Sequence, residues 1–274
     1  MTGVTTEPAE AVDWSGLASP DFRRSPVQPL VDGEQAVGLL PVGATEQHGP
    51  HLPTGTDTII ATELCRRASA RTGAPVLPAV AIGASYGHGT GLPGTLSLAP
   101  RQLADHLTAC ARWAAHSGVR RLLIVNAHAG NQAAIGLATD ELRFERPDLR
   151  VGALHWWQSD SRITSELLDD GDDVHANRGE TAVMLAIAPE LVRTDAMASA
   201  DDPDRTAPLV FAYTAERLST NGVTGRPSEA TAALGHRLTG WAVDALTTAV
   251  LRGRSERAPL EGPDSDGSQG LEPQ

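Results

Sequence analysis

Little of this 274-residue chain is aromatic: Phe, Trp and Tyr make up 4%, and the 41% that is apolar is mostly Ala, Leu and Val. That scarcity argues against an aromatic-rich sandwich and suits helices packed tightly on a sheet. Cysteine is almost missing. Cys65 and Cys110 both fall on segments with helical apolar spacing, where free thiols behave as small buried hydrophobes. They make no disulfide framework, which fits a reducing, cytoplasmic compartment. Basic residues are outnumbered, 22 against 34 acidic ones, for a net charge of -12. That balance argues against nucleic acid or an anionic membrane as partner. No apolar run approaches the ~20 residues needed to span a bilayer. The first 13 residues are acidic and lack the apolar centre of a signal peptide.

What is present alternates. Ala36–Val42, Pro75–Ala81, Arg121–Asn126 and Arg150–Trp156 read as strands. Thr58–Arg71, Arg101–His116, Gln132–Phe144, Arg178–Ala188 and Ser228–Leu251 read as helices. Strands alternating with helices imply right-handed βαβ units, a mostly parallel sheet and helices on both faces. The expected architecture is an α/β, three-layer α/β/α sandwich. It occupies residues 29–252, between a flexible N-terminal tail over 1–28 and a disordered tail over 253–274 rich in Pro, Gly, Ser and acid.

The chemistry gathers where strands end. Gly43-Ala44-Thr45-Glu46-Gln47-His48-Gly49-Pro50-His51-Leu52-Pro53-Thr54-Gly55-Thr56-Asp57 follows the first strand. The stretch from Ser85 to Thr95, with Tyr86 and His88, follows the second. Asn126-Ala127-His128-Ala129-Gly130-Asn131 follows the third. His155-Trp156-Trp157 follows the fourth, and His175 to Thr181, with Glu180, opens a helix. In a parallel sheet those loops share one edge, where open α/β folds bind their ligands. Mixed carboxylate and imidazole donors without Cys suit zinc, iron or manganese in an open site. Each residue also has a plain structural reading. Asp57 suits a helix N-cap, and Asn177 with Glu180 is a capping box. A lone histidine such as His128 is commonly a hydrogen-bonded structural residue. His106, His116 and His236 sit on helices and are expected to face solvent. His51 and His88 lie in the right loops for a supporting or substrate role. Trp156 and Trp157 could be core, or a flat wall for a small cyclic substrate.

At these residues the chain resembles the creatininase (creatinine amidohydrolase) family. The matching pieces run from Gly43 through Pro53 with Asp57, then Gly87-His88 to Thr95, then Asn126 to Asn131, then His175 with Glu180. The resemblance implies a two-metal hydrolytic centre and often a homo-hexamer. It assigns Glu46, Asp57 and His128 to one metal, and His48 with bridging Asp57 to the other. It puts His175 beside the substrate as an acid/base group. Enzymes of the family that open creatinine carry a glutamate two residues after the strand-three histidine; here that position is Gly130. Glu180 is then the expected further ligand and acid/base participant, and Tyr86, His88, Trp156 and Trp157 are the expected substrate contacts. The expected activity is metal-dependent hydrolysis of a C–N bond in a small or cyclic amide, through a hydroxide bridging two divalent ions (Zn, Mn or Fe). The alternatives are a peptidase that trims a mycofactocin-type modified peptide precursor and a metal-binding relative without turnover.

Overall fold

The apolar run around Leu39 is a strand buried along its whole length, β1 (Val37–Val42). It pairs in parallel with β2 (Arg121–Asn126), which pairs in parallel with β3 (Arg150–His155), in the order β1-β2-β3. The structure, a computed structural model, describes residues 10–19, 21 and 36–260. The register sets Val42, Asn126 and His155 side by side. The strands therefore end together, and the loops that leave them share one carboxyl rim.

The segment over Pro75–Ala81 is not a regular strand but a broken edge. Leu39 donates to the Pro75 carbonyl and Leu77 to that of Leu39; Val80 donates to Pro41, and Gly43 to Val80. Only isolated parallel bridges result, at Val76 and Val80. Pro78 has no N–H, and neither has Pro41 on the β1 side facing it, so the ladder lacks donors where it would need them. Sheet edges tolerate such gaps. Val76 donates to the Val12 carbonyl and Trp14 to that of Val76, which adds a further rung outside this edge. Most of the expected N-terminal tail, and residues 261–274 of the C-terminal one, lie outside the described residues.

Alternation along β1 divides the core in two. Val37 and Leu39 pack against Ile60, Leu64 and Cys65 of α1 (Thr56–Thr72), Val183 of α5 (Arg178–Ile187) and Leu234 and Leu238 of α8 (Ala232–Ser255). Leu40 and Val42 face the other way, onto Leu103 and Leu107 of α2 (Pro100–His116) and Ile135 and Leu142 of α3 (Gln132–Glu145). This is the three-layer arrangement that the alternating pattern implies, with a parallel sheet between two helical layers. Three short helices complete it: α4 (Ser161–Leu167), α6 (Met197–Ala200) and α7 (Ala215–Leu218). At seven, four and four residues they are too brief to print a helical period on the sequence. No helix among the described residues is long and apolar enough to cross a membrane.

The rim owes its tightness to Gly43, where β1 ends beneath the start of α1. A Cβ at Gly43 would lie 2.4 Å from the Thr58 nitrogen and 2.5 Å from its Cα. Gly43→Ala is therefore expected to push α1 off the strand end at a cost of about 1–3 kcal/mol. Thermal unfolding should show the loss as a lower midpoint; an unchanged midpoint would mean that the contact is not tight.

Candidate metal centre

Asp57 lies in the first turn of α1 and is buried; the capping position is Gly55, with no side-chain cap. The simple N-cap reading of Asp57 thus does not hold. Its carboxylate points into the rim instead, Oδ1 3.2 Å from His48 Nε2 and Oδ2 3.5 Å from His128 Nδ1. Glu46 lies beside it, with Oε1 3.1 Å from His128 Nδ1 and 3.0 Å from His88 Nε2.

His128 is aimed by amides. Asn126 Oδ1 accepts from the His128 N–H, and its Nδ2 donates to the His128 carbonyl. Asn131 Nδ2 donates to Asn126 Oδ1 and to the Gly43 carbonyl, while its Oδ1 accepts from the Ala84 N–H. One network therefore ties together the exits of β1, the edge segment and β2. His128 Nε2 lies 3.2 Å from the Ala84 carbonyl, to which it donates, and Nδ1 faces Glu46 and Asp57. His48 is set in the same manner. Its Nδ1 donates to the Glu46 carbonyl at 3.2 Å, and Nε2 is left facing Asp57.

Glu180 enters from the first turn of α5. Asn177 caps that helix by accepting from the Glu180 N–H, and Glu180 Oε2 accepts from Ala176 N–H at 2.6 Å. The cap expected here is thus real, shifted by one residue on the return bond, and it holds the carboxylate against the cluster. Ala176 adopts φ 50°, the left-handed region, at a cost of about 1–2 kcal/mol for a residue with a Cβ. That turn swings His175 inward, where Nδ1 lies 3.8 Å from Glu46 Oε1.

Among the described residues, both Glu46 carboxylate oxygens, Asp57 Oδ2 and His48 Nε2 are buried with no hydrogen-bond partner. Buried acceptors are seldom left so. Separations of 3.0–3.5 Å without hydrogen-bond alignment are those expected between neighbouring ligands of an ion bound at about 2.0–2.2 Å. Glu46, His48 and Asp57 place one ligand atom each within 4.8 Å of one another, as do His48, His175 and Glu180, and also Glu46, His88 and His175. The donor set fits divalent cations.

Charge in the cluster is shared unevenly. Burial disfavours the His48 imidazolium, but the Asp57 carboxylate, with Glu180 and Glu46, outweighs it and lifts His48 to about 10. His128 is also buried, and Glu46 and Asp57 lift it to about 9. Burial pushes Glu180 up to about 8 and raises Asp57, which also feels Glu46. Glu46 is buried too, yet His128 and His88 hold it well below the usual carboxylate range. His175 is driven well below the ordinary imidazole value by burial, with His48 and His88 adding repulsion, so it is neutral at pH 7.

The cluster floors a cavity of about 550 Å³. Glu46, Asp57, His88, His128, His175 and Glu180 all reach it, and Leu209–Tyr213 form its lip. Val210 is 87% exposed and Phe211 74%. Of the sequence-predicted substrate contacts, only His88 lines this space. Tyr86 is exposed and outside it. Trp156 is buried in the core beside α5; with Trp157 it borders a neighbouring cavity of about 280 Å³ that meets the first at Glu180, Ala127 and Ala129. Sequence reasoning missed the orienting amides of Gln47, Asn126 and Asn131. It also missed the lip, whose apolar run Leu209-Val210-Phe211 was the available signal.

A family model described as creatinine amidohydrolase, Creatininase, matches residues 24–250. The chain belongs to the creatininase family. Membership makes it a hydrolase that acts on C–N bonds. It is 36% identical over 234 residues to a mycofactocin precursor peptide peptidase of Mycolicibacterium smegmatis, covering 81% of this chain and 87% of that one. To a creatinine amidohydrolase of Pseudomonas putida it is 35% identical over 185 residues, covering 62% and 70%. A crystal structure of a creatinine amidohydrolase superimposes with a TM-score of 0.77 at 30% identity, over 91% of this chain and all of that one. Related creatininase structures at 27% and 28% identity are of a Zn–Zn type and a manganese form.

Protons and metal ions must compete for this creatininase-family cluster. At pH 7 the metal-free protein holds protons on His48, His128 and Glu180, whose values are raised to about 10, 9 and 8. A cation displaces them. Zinc or manganese affinity should therefore rise from about pH 6 to 9, and calorimetry in buffers of different ionisation heat should show proton release on binding. A pH-independent affinity would contradict this account of the cluster.

Proposed function

We propose that this creatininase-family hydrolase is a dinuclear metallopeptidase that cleaves an amide bond in a peptide-derived substrate. Position 130 carries the reading. A Cβ at Gly130 would lie 2.4 Å from both the Ala84 carbonyl and His128 Nε2. The backbone here has no room for the glutamate that the resemblance attaches to creatinine-opening enzymes. The exposed apolar lip and the size of the cavity also favour a ligand larger than a single small ring. The similarity to mycofactocin precursor peptide peptidases extends over more of the chain than that to the Pseudomonas amidohydrolase.

Glu46, Asp57 and His128 would hold one divalent cation, and His48, Glu180 and the shared Asp57 a second. Such a pair supplies a water that ionises near neutral pH and a polarised substrate carbonyl. The protein does the rest. The Ala84 and Glu46 carbonyls orient the His128 and His48 rings, and the Ala176 N–H orients Glu180, before substrate arrives. Burial excludes bulk water from the floor. His175, neutral at pH 7, takes the proton given up by the attacking water and passes it to the leaving nitrogen, the role expected of a buried acid/base group within reach of the reacting atoms. The homo-oligomer implied by the family resemblance belongs to the same proposal.

A panel of short peptides, formamides and creatinine, assayed with zinc or manganese, tests the choice. Peptide amides are expected to be cleaved and creatinine left intact; creatinine opened as fast as any peptide would reject the reading. Changes to residues that merely support ligands cost about 10–100-fold. Glu46→Gln, His128→Ala and Glu180→Gln should exceed that loss and lower the metal content, with the fold kept. Near-normal turnover in all three would remove the mechanism.

A further inference from the structure

Gln47 has no part in the cluster as a ligand, yet it is buried among the residues that are. Its amide can take only one orientation. Oε1 accepts from the Gly49 N–H at 3.0 Å, and Nε2 donates to the Gly222 carbonyl at 3.1 Å. Gly222, at φ 86°, makes room: a Cβ there would meet Gln47 Oε1 at 1.9 Å. With the amide fixed, the second Nε2 hydrogen is left for His88 Nδ1, at 3.0 Å. His88 Nδ1 must then be the acceptor, and its proton sits on Nε2. That nitrogen lies 3.0 Å from Glu46 Oε1, which has no aligned donor, so the N–H is turned past the carboxylate into the cavity that His88 lines.

The main chain of the same residue sets a second ring. His175 Nε2 lies 2.9 Å from the Gln47 carbonyl, which can only accept, so this nitrogen carries the proton. His175 Nδ1 is left bare on the side of Glu46. The Gln47 amide nitrogen also lies 3.0 Å from His175 Nε2, but both amide hydrogens are already placed. The two rings stand 4.5 Å apart between centroids.

We infer that Gln47 is the positioning residue that makes His88 and His175 opposites at the mouth of the metal floor, His88 presenting an N–H donor and His175 a bare nitrogen. The inference rests on the peptidase reading for its use: His88 donates to the substrate's carbonyl or amide oxygen, and His175 accepts the proton that is later handed to the leaving nitrogen. The tautomers themselves do not depend on that reading.

Neutron diffraction from deuterated crystals of the zinc-loaded full chain reads them directly, with no variant and no substrate. Deuterium is expected on Nε2 of both His88 and His175, with both Nδ1 atoms bare. Deuterium on His88 Nδ1, alone or with Nε2, or on His175 Nδ1, would overturn the inference while leaving the peptidase reading standing. Gln47→Met keeps the length of the side chain and removes the amide. It should retain the zinc content of the natural protein and bind acetohydroxamate, a chelating amide-like probe, at least tenfold more weakly by calorimetry. Unchanged hydroxamate affinity would overturn the donor role of His88, and loss of zinc would make Gln47 part of the scaffold of the metal floor instead.

Discussion

The rest of the structure depends on two carboxylates, Glu46 and Asp57, that are buried almost completely and given no hydrogen-bond donors on the atoms that face each other's neighbours. Taking an ionised carboxylate out of water costs several kcal/mol unless a positive partner is supplied. In the metal-free state positive charge comes from the surrounding imidazoles, and the carboxylates raise His48 and His128 accordingly. That compromise leaves both Glu46 oxygens and Asp57 Oδ2 without an aligned donor. A divalent cation resolves it better, because it satisfies several acceptors at once and needs no alignment of N–H bonds. The N-termini of α1 and α5, where Asp57 and Glu180 sit, add favourable dipoles for carboxylates before any ion arrives.

The fold was readable to a large degree because its helices and inner strands carry strong periods. Leu122-Leu123-Ile124-Val125 became β2, and the five long helices fall within a few residues of their apolar patterns. The edge was not readable. Val76 and Val80 have the composition of a strand, but whether a proline breaks a ladder depends on which side its missing N–H faces, and that is decided by the pairing, not by the segment. The short helices failed for want of length. Trp156 is both things at once: it is buried in the core cluster that holds Ala182 and Val183, and with Trp157 it borders the cavity beside the cluster of carboxylates.

The site was readable as a set of residues but not as a set of atoms. Glu46, His48, Asp57, His128, His175 and Glu180 were all visible as polar residues at strand exits. What no spacing reveals is that the Ala84 carbonyl takes the His128 Nε2 proton and the Glu46 carbonyl takes that of His48 Nδ1. These backbone acceptors belong to segments far away in the chain, or to a turn whose shape is not implied by composition. Asn126 and Asn131 bound the histidine segment in the sequence, but spacing gives them no task for the same reason. Their value lies in spanning three chain exits at once, and each bond alone is ordinary.

Floor and mouth of the cavity are built from different materials. The floor is held by backbone carbonyls, glycines without room for a Cβ and buried amides, so nearly any change there moves a ligand atom. The lip is an exposed apolar run, tethered mainly through α7, where Glu216 Oε2 accepts from the Gly91 N–H at 2.5 Å. Gly91 lies in the same loop as His88, and His88 touches Glu46. The loop of His88 therefore links mouth and floor, as do the bonds from Gln47 to Gly222 and from Thr224 to His175 beyond α7. Substitutions from Leu209 to Tyr213 can change what enters while leaving the ligand geometry intact. Substitutions in the Tyr86–Gly94 loop cannot, because that segment bears the latch for Glu216 on one side and the ring beside Glu46 on the other.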